Sequence, residues 1–179
     1  MRVFVAAEIT NQDILNSIKN MQEGLRIEAR PVELQNMHFT LLFLGEIPES
    51  MAQKVQDKLK SIQFNSFDIS FEGIGAFPKP KFPRVVWIGV KNGAEQLVEL
   101  AKTVERELSP LGFKSDKEFK PHITIFRIKN KIGDITDELA KYSDEKFGSQ
   151  KISEIKLKKS TLTPSGPIYS DLQVIRATR

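Results

Sequence analysis

Two spacings of apolar residues alternate along this chain. Runs of consecutive or alternating apolar positions occur at Val3–Ile9, from His38 through "HFTLLFL", at Arg84–Val90 and from His122 through "HITIF". Such runs, short and rich in β-branched and aromatic residues, predict strands. Between them the spacing changes to steps of three and four. Ile14, Leu15, Ile18, Met21 and Leu25 form one stripe within Gln12–Leu25. Leu97, Leu100, Ala101, Val104 and Leu108 form another within Gly93–Leu108. Each stripe predicts an amphipathic helix, with Asn11 and Asn92 as N-caps. Second helices are expected over Pro48–Ile62 and Asp134–Phe147, and β-rich segments over Phe67–Phe77 and Ile152–Thr163. Proline and glycine cluster at Phe77–Arg84 and Leu162–Leu172, which predicts loops there.

The order strand, helix, strand, helix, β-rich segment is thus written twice. His38 and Thr40 recur as His122 and Thr124 at an offset of 84, and Met51 and Val55 recur as Ile135 and Leu139. Upstream the offset is 83, which sets Phe4 against Trp87 and the stripe of the first helix against that of the third. The expected organisation is one domain, 1–179, of two repeat-related lobes, about 1–83 and 84–179, packed closely because no linker separates them. Mixed helices and consecutive strands predict an α+β fold. Its two pseudo-symmetric lobes would each hold a mainly antiparallel sheet with helices, around a central cleft.

Composition narrows the class. Of 179 residues, 40% are apolar and 28% charged, ordinary values for a soluble globular chain. No apolar run approaches the roughly 20 residues that span a bilayer, so no membrane association is expected. The apolar start is too short for a typical signal-peptide core. Cysteine is absent, which excludes disulfides and thiolate chemistry and points to the cytoplasm. A net charge of +4 and a sequence pI of about 9.2 favour a polyanionic partner.

The candidate chemistry lies in the two His-x-Thr motifs, which contain both histidines of the chain. Alternation along a strand puts His38 with Thr40 on one face and Phe39 on the other; His122, Thr124 and Ile123 divide likewise. Phe39 and Ile123 are therefore expected in the core. Imidazoles titrate near about pH 6.5, so one can accept a proton while another donates one. Flanking hydroxyls can hold anionic oxygens. Two such pairs converging on one cleft suit displacement at a phosphodiester. A metal site is not supported, because two histidines lack the further ligands that usually fix an ion. Nucleotide-triphosphate loops are absent as motifs, and no cofactor is expected.

With its motifs "MHFTLLFLGEI", "FKPHITIFRIK", "RVFVAAEI", "FPKPKFPRVVWIGV" and "LTPSGPIYSDL", the chain resembles the 2H phosphoesterase superfamily, and within it the RNA 2′,3′-cyclic phosphodiesterases, also called 2′-5′ RNA ligases. The resemblance covers essentially the whole chain. It implies metal-independent opening of a 2′,3′-cyclic phosphate at an RNA 3′ end, tRNA halves among the candidate substrates, to a 2′-phosphate. Run in reverse, the reaction would join ends through a 2′-5′ bond. It implies His38 as the acid, His122 as the base, and Thr40, Thr124 and Arg127 as phosphate contacts. Arg127 stands five after His122, so a regular strand would turn it to the wrong face; a bulge or the strand's end would correct that. The first half carries Phe43 at the matching position. Two rival readings keep the cleft: a phosphodiesterase for small cyclic nucleotides or ADP-ribose cyclic phosphate, and a noncatalytic RNA-end binder.

Secondary candidates are Tyr169, as a cleft-lining residue, and Lys79, Lys81 and Arg84, as RNA-phosphate contacts. Trp87 reads as core packing. Lys156, Lys158 and Lys159 read as the charged edge or face of a strand.

Overall fold

The computed structural model describes residues 1–179. The chain runs through β1 (Arg2–Glu8), α1 (Gln12–Gly24), β2 (Arg30–Pro31), β3 (His38–Glu46), α2 (Glu49–Leu59) and β4 (Phe67–Lys79). It continues through β5 (Phe82–Val90), α3 (Ala94–Leu108), β6 (His122–Arg127), α4 (Thr136–Ala140), β7 (Lys146–Ile152), β8 (Glu154–Thr163) and β9 (Gly166–Arg176). The strands form two antiparallel sheets, ordered β3-β1-β8-β9 and β2-β6-β5-β4-β7. The α+β expectation is met.

The two sheets are built alike, and they interlock. In each, a His-x-Thr strand lies beside an early strand, β3 beside β1 and β6 beside β5. The next neighbour comes from across the chain: β8 joins β1, and β4 joins β5. The β4–β5 hairpin therefore straddles position 83, where the sequence pattern starts over. The ladders also adjust the pairing offset. Ala6 lies opposite Thr40 and Trp87 opposite Thr124, so Trp87 matches Ala6 in position and not Phe4. Because the difference is two residues, the face is unchanged.

Alternation divides core from cleft as the sequence implies. Phe39 and Ile123 are essentially fully buried. Phe39 stacks on Phe71 of the opposite sheet, ring centroids 6.0 Å apart, so the rear faces share one apolar core. The helical stripes close it: Ile14, Ile18 and Met21 of α1, and Leu97, Leu100, Ala101, Val104 and Leu108 of α3, are buried.

Several expectations need correction. Both anticipated loops are tight hairpins: β4 runs to Lys79 and β5 starts at Phe82, while β8 ends at Thr163 and β9 starts at Gly166. Pro78 sits opposite Pro83 at the end of its ladder, where missing N–H groups break little. Gly166, with φ of 120°, supplies a backbone that other residues resist. The fourth helix spans only Thr136–Ala140. Lys141, Asp144 and Glu145 offer no apolar stripe to continue it, and Phe147 and Ile152 are instead buried from strand β7.

Asn11 caps α1 through Oδ1, accepting from the Ile14 N–H at 3.0 Å. Asn92 does not cap α3. That place belongs to Gly93, with φ of 85° and the Asp68 carbonyl pressed against the space that a Cβ would need. Finally, β8 is an interior strand, and Lys156 and Lys158 on it are paired with acids rather than guarding an edge.

Candidate active site

Two bulges aim the side chains. In the β5–β6 ladder Trp87 pairs with Thr124 and Val86 with Phe126, so Ile125 is the extra residue. Its carbonyl accepts the Val32 N–H at 2.9 Å and the Gln22 amide at 2.9 Å. The skip resets the alternation, and Arg127 turns to the face of His122 and Thr124. The same event occurs in β3, where Leu41 is skipped and Phe43 joins the face of His38 and Thr40. The anticipated correction for Arg127 is therefore present.

His38, Thr40, His122, Thr124 and Arg127 line a single cavity of about 690 Å³ between the sheets. The imidazoles are oriented alike. Nδ1 of His38 lies 2.7 Å from the Asn36 carbonyl, and Nδ1 of His122 lies 2.5 Å from the Lys120 carbonyl. A carbonyl only accepts, so each Nδ1 carries the proton and donates it. Each Nε2 is thereby the nitrogen that can exchange a proton. Nε2 of His38 also lies 3.0 Å from the Thr40 hydroxyl, which donates to it when the ring is neutral.

Aromatic walls hold both rings. His38 stands 5.0 Å from Phe4 and edge-on at 5.3 Å to Tyr169. His122 stands edge-on at 5.2 Å to Phe77 and at 6.2 Å to Trp87. Trp87 therefore packs on the cleft side behind His122, not within the deep core. It fits there because Gly75 has no side chain: a Cβ at that position would run into the indole. Tyr169 lines the cavity, and burial raises its hydroxyl pKa.

Glu8 pairs directly across the ladder with His38 and anchors a four-charge cluster. Lys158, buried, bonds Glu8 at 2.6 Å and Asp171 at 2.7 Å; Lys156 bonds the same two acids at 2.6 and 2.8 Å. Burial alone would raise both carboxyls, but the lysines hold them below the usual carboxylate range. Desolvation opposes the charge on Lys156, and the bonds to Asp171 and Glu8 more than offset this, so its pKa is raised. For His38, burial dominates and lowers the pKa. The Asn36 carbonyl opposes this, while the charges of Lys158 and Arg127 reinforce it.

The cavity wall is cationic. Arg30, Lys117, Lys120, Arg127 and Lys129 line it against Glu33 and Glu118, and none of the five cations takes part in an ion pair. Lys79, Lys81 and Arg84 are not among the lining residues. Lys79 lies over the Phe82 ring at 5.2 Å, and Arg84 donates to the Lys129 carbonyl at 3.4 Å. Sequence reasoning missed Arg30, Glu8 and Phe4. Glu8 shares a strand face with Phe4, and this period-two signal was available; Arg30 stands in a segment without periodicity.

The family model described as the AKAP7 2′5′ RNA ligase-like domain matches residues 2–176. A protein of Archaeoglobus fulgidus named RNA 2′,3′-cyclic phosphodiesterase is 46% identical over 176 residues, covering 97% of this chain and 99% of the relative. A Methanocaldococcus jannaschii protein of the same name is 41% identical over 173 residues, 94% and 96% of the two chains. The crystal structure of a Thermus thermophilus protein, TT0787, shares the fold with a TM-score of 0.82 at 27% identity over 100% of both chains. Escherichia coli LigT complexed with 3′-AMP has the same fold, with a TM-score of 0.83 at 24% identity over 99% and 98%.

Proposed function

This chain belongs to the 2H phosphoesterase superfamily, and within it to the RNA 2′,3′-cyclic phosphodiesterases, and from that premise we propose that it opens 2′,3′-cyclic phosphates at RNA 3′ ends by acid–base catalysis with two histidines. The observation that carries the reading is that both rings turn Nδ1–H to a backbone carbonyl, leave Nε2 as the exchanging nitrogen, and line one cation-rich cavity.

In the proposed step, Nε2 of His122 takes a proton from water as the water oxygen bonds to phosphorus. The P–O3′ bond breaks in line, and the proton on Nε2 of His38 passes to O3′, leaving a 2′-phosphate. Thr40, Thr124 and Arg127 hold the nonbridging oxygens, where charge builds in the transition state. The lowered pKa of His38 disfavours its protonation in the free protein. A phosphate anion beside the ring acts in the opposite direction and charges it when substrate arrives. With a 5′-hydroxyl in place of water, the same base activates O5′, which bonds to phosphorus as P–O3′ breaks and O3′ is protonated, so the geometry also supports 2′-5′ joining. RNA fragments with cyclic ends, tRNA halves among them, fit as substrates.

The test uses a short RNA ending in a 2′,3′-cyclic phosphate, with and without EDTA. A 2′-phosphate product at an undiminished rate in EDTA supports the reading. A 3′-phosphate product, or no turnover with tight binding retained, refutes it.

A further inference from the structure

Arg30 is a cleft residue with no role in the proposed step. It belongs to β2, a two-residue strand at the edge of its sheet, and its register partner is Arg127. Cross-strand partners stand about 5 Å apart at Cα and project to the same face. Two arginines from neighbouring strands therefore line one cavity wall, with no carboxylate paired to either. Like charges held this way repel unless an anion joins them, and the natural complement is a ligand with two successive negative charges.

The surroundings of Arg30 give the second charge a place. Its guanidinium reaches across the cleft to the Ser165 carbonyl in the β8–β9 turn, and Asn36 approaches the Pro167 carbonyl at 3.4 Å. One carbonyl uses one donor of a group that has five. The remaining donors are available at the rim, one strand farther out than Arg127.

Resting on the reading of the site as a cyclic phosphodiesterase, we propose that Arg30 is a specificity-determining residue that binds the phosphodiester on the 5′ side of the terminal nucleotide while Arg127 serves the reacting phosphate. The enzyme then prefers a cyclic end carried on a strand over a free cyclic nucleotide, because the free nucleotide lacks that second phosphate.

The experiment compares kcat/KM for 2′,3′-cyclic AMP and for the dinucleotide ApA bearing a 2′,3′-cyclic phosphate, in the full chain and in Arg30→Met and Arg30→Lys. The expected result is a preference for the dinucleotide that falls about tenfold in Arg30→Met and is largely restored by Arg30→Lys, the scale of one charge-assisted phosphate contact. The slope of log affinity against log salt should shrink with the first substitution only. A preference unchanged by Arg30→Met overturns the proposal, as does an equal loss on both substrates, which would mark Arg30 as a strut for the β8–β9 turn. If the unaltered chain opens neither substrate, the functional reading fails. Calorimetric binding of adenosine 2′-phosphate against ApA 2′-phosphate in the same variants then decides the role of Arg30.

Discussion

An imidazole can shuttle a proton to a phosphodiester only if the correct nitrogen is free. Here two backbone carbonyls, those of Asn36 and Lys120, make that choice for His38 and His122. His38→Ala and His122→Ala should each lower turnover by about 10² or more, the usual scale of acid–base catalysis, as read in initial rates with the fold checked by circular dichroism. The acidity of His38 adds a pH signature. In the proposed step it serves as the acid and must be protonated, while burial lowers its pKa. Activity therefore falls as pH rises through a value below the ordinary 6.5 or so, giving a descending limb in kcat/KM that His38→Ala removes. The paired motifs made these residues visible in sequence, because the same two residue types recur at one offset. The geometry of Arg127 was not visible, since the bulge that turns it depends on which residues of β5 and α1 lie opposite.

At the level of elements, the long amphipathic helices and the His-x-Thr strands were legible because each carries its own periodicity. Strands β2 and β7 were not: each has too few buried positions to form a pattern, and each exists by pairing with a neighbour. Two substitutions test how these elements position the site. Gln22→Ala removes a donor to the bulged Ile125 carbonyl and should destabilise the chain by about 1 kcal/mol, measured by urea unfolding, with a larger proportional loss of turnover as Arg127 loosens. Gly75→Ala places a methyl against Trp87 and should destabilise by about 1–3 kcal/mol, the range for overpacking. Because Trp87 is the sole tryptophan, its fluorescence reports the displacement directly, and the contact with His122 predicts a parallel fall in rate.

At the scale of the whole molecule, cations sit in two contrasting surroundings. The cluster of Glu8, Lys156, Lys158 and Asp171 is balanced, whereas the five cations of the cleft are unpaired. Lys158→Met should leave the acids under-compensated and lower stability by about 2 kcal/mol, the scale of lost hydrogen bonds to charged groups, again by urea unfolding. Both carboxyls have lowered pKa values, so their contribution is complete above the unfolded carboxylate range and is lost as pH falls through their folded values. Neither effect was readable from net charge alone, since a count of lysines does not say which ones meet an acid.

The exchange of strands between the halves has a consequence for the chain if it is severed. A break in the turn between Lys79 and Phe82 would give two fragments, and neither could complete a sheet by itself: the first would lose β5 and β7 from either side of β4, and the second would keep β9 on β8 but lose β1. Mixed together, the fragments should reassemble by non-covalent complementation and recover the activity that each lacks alone.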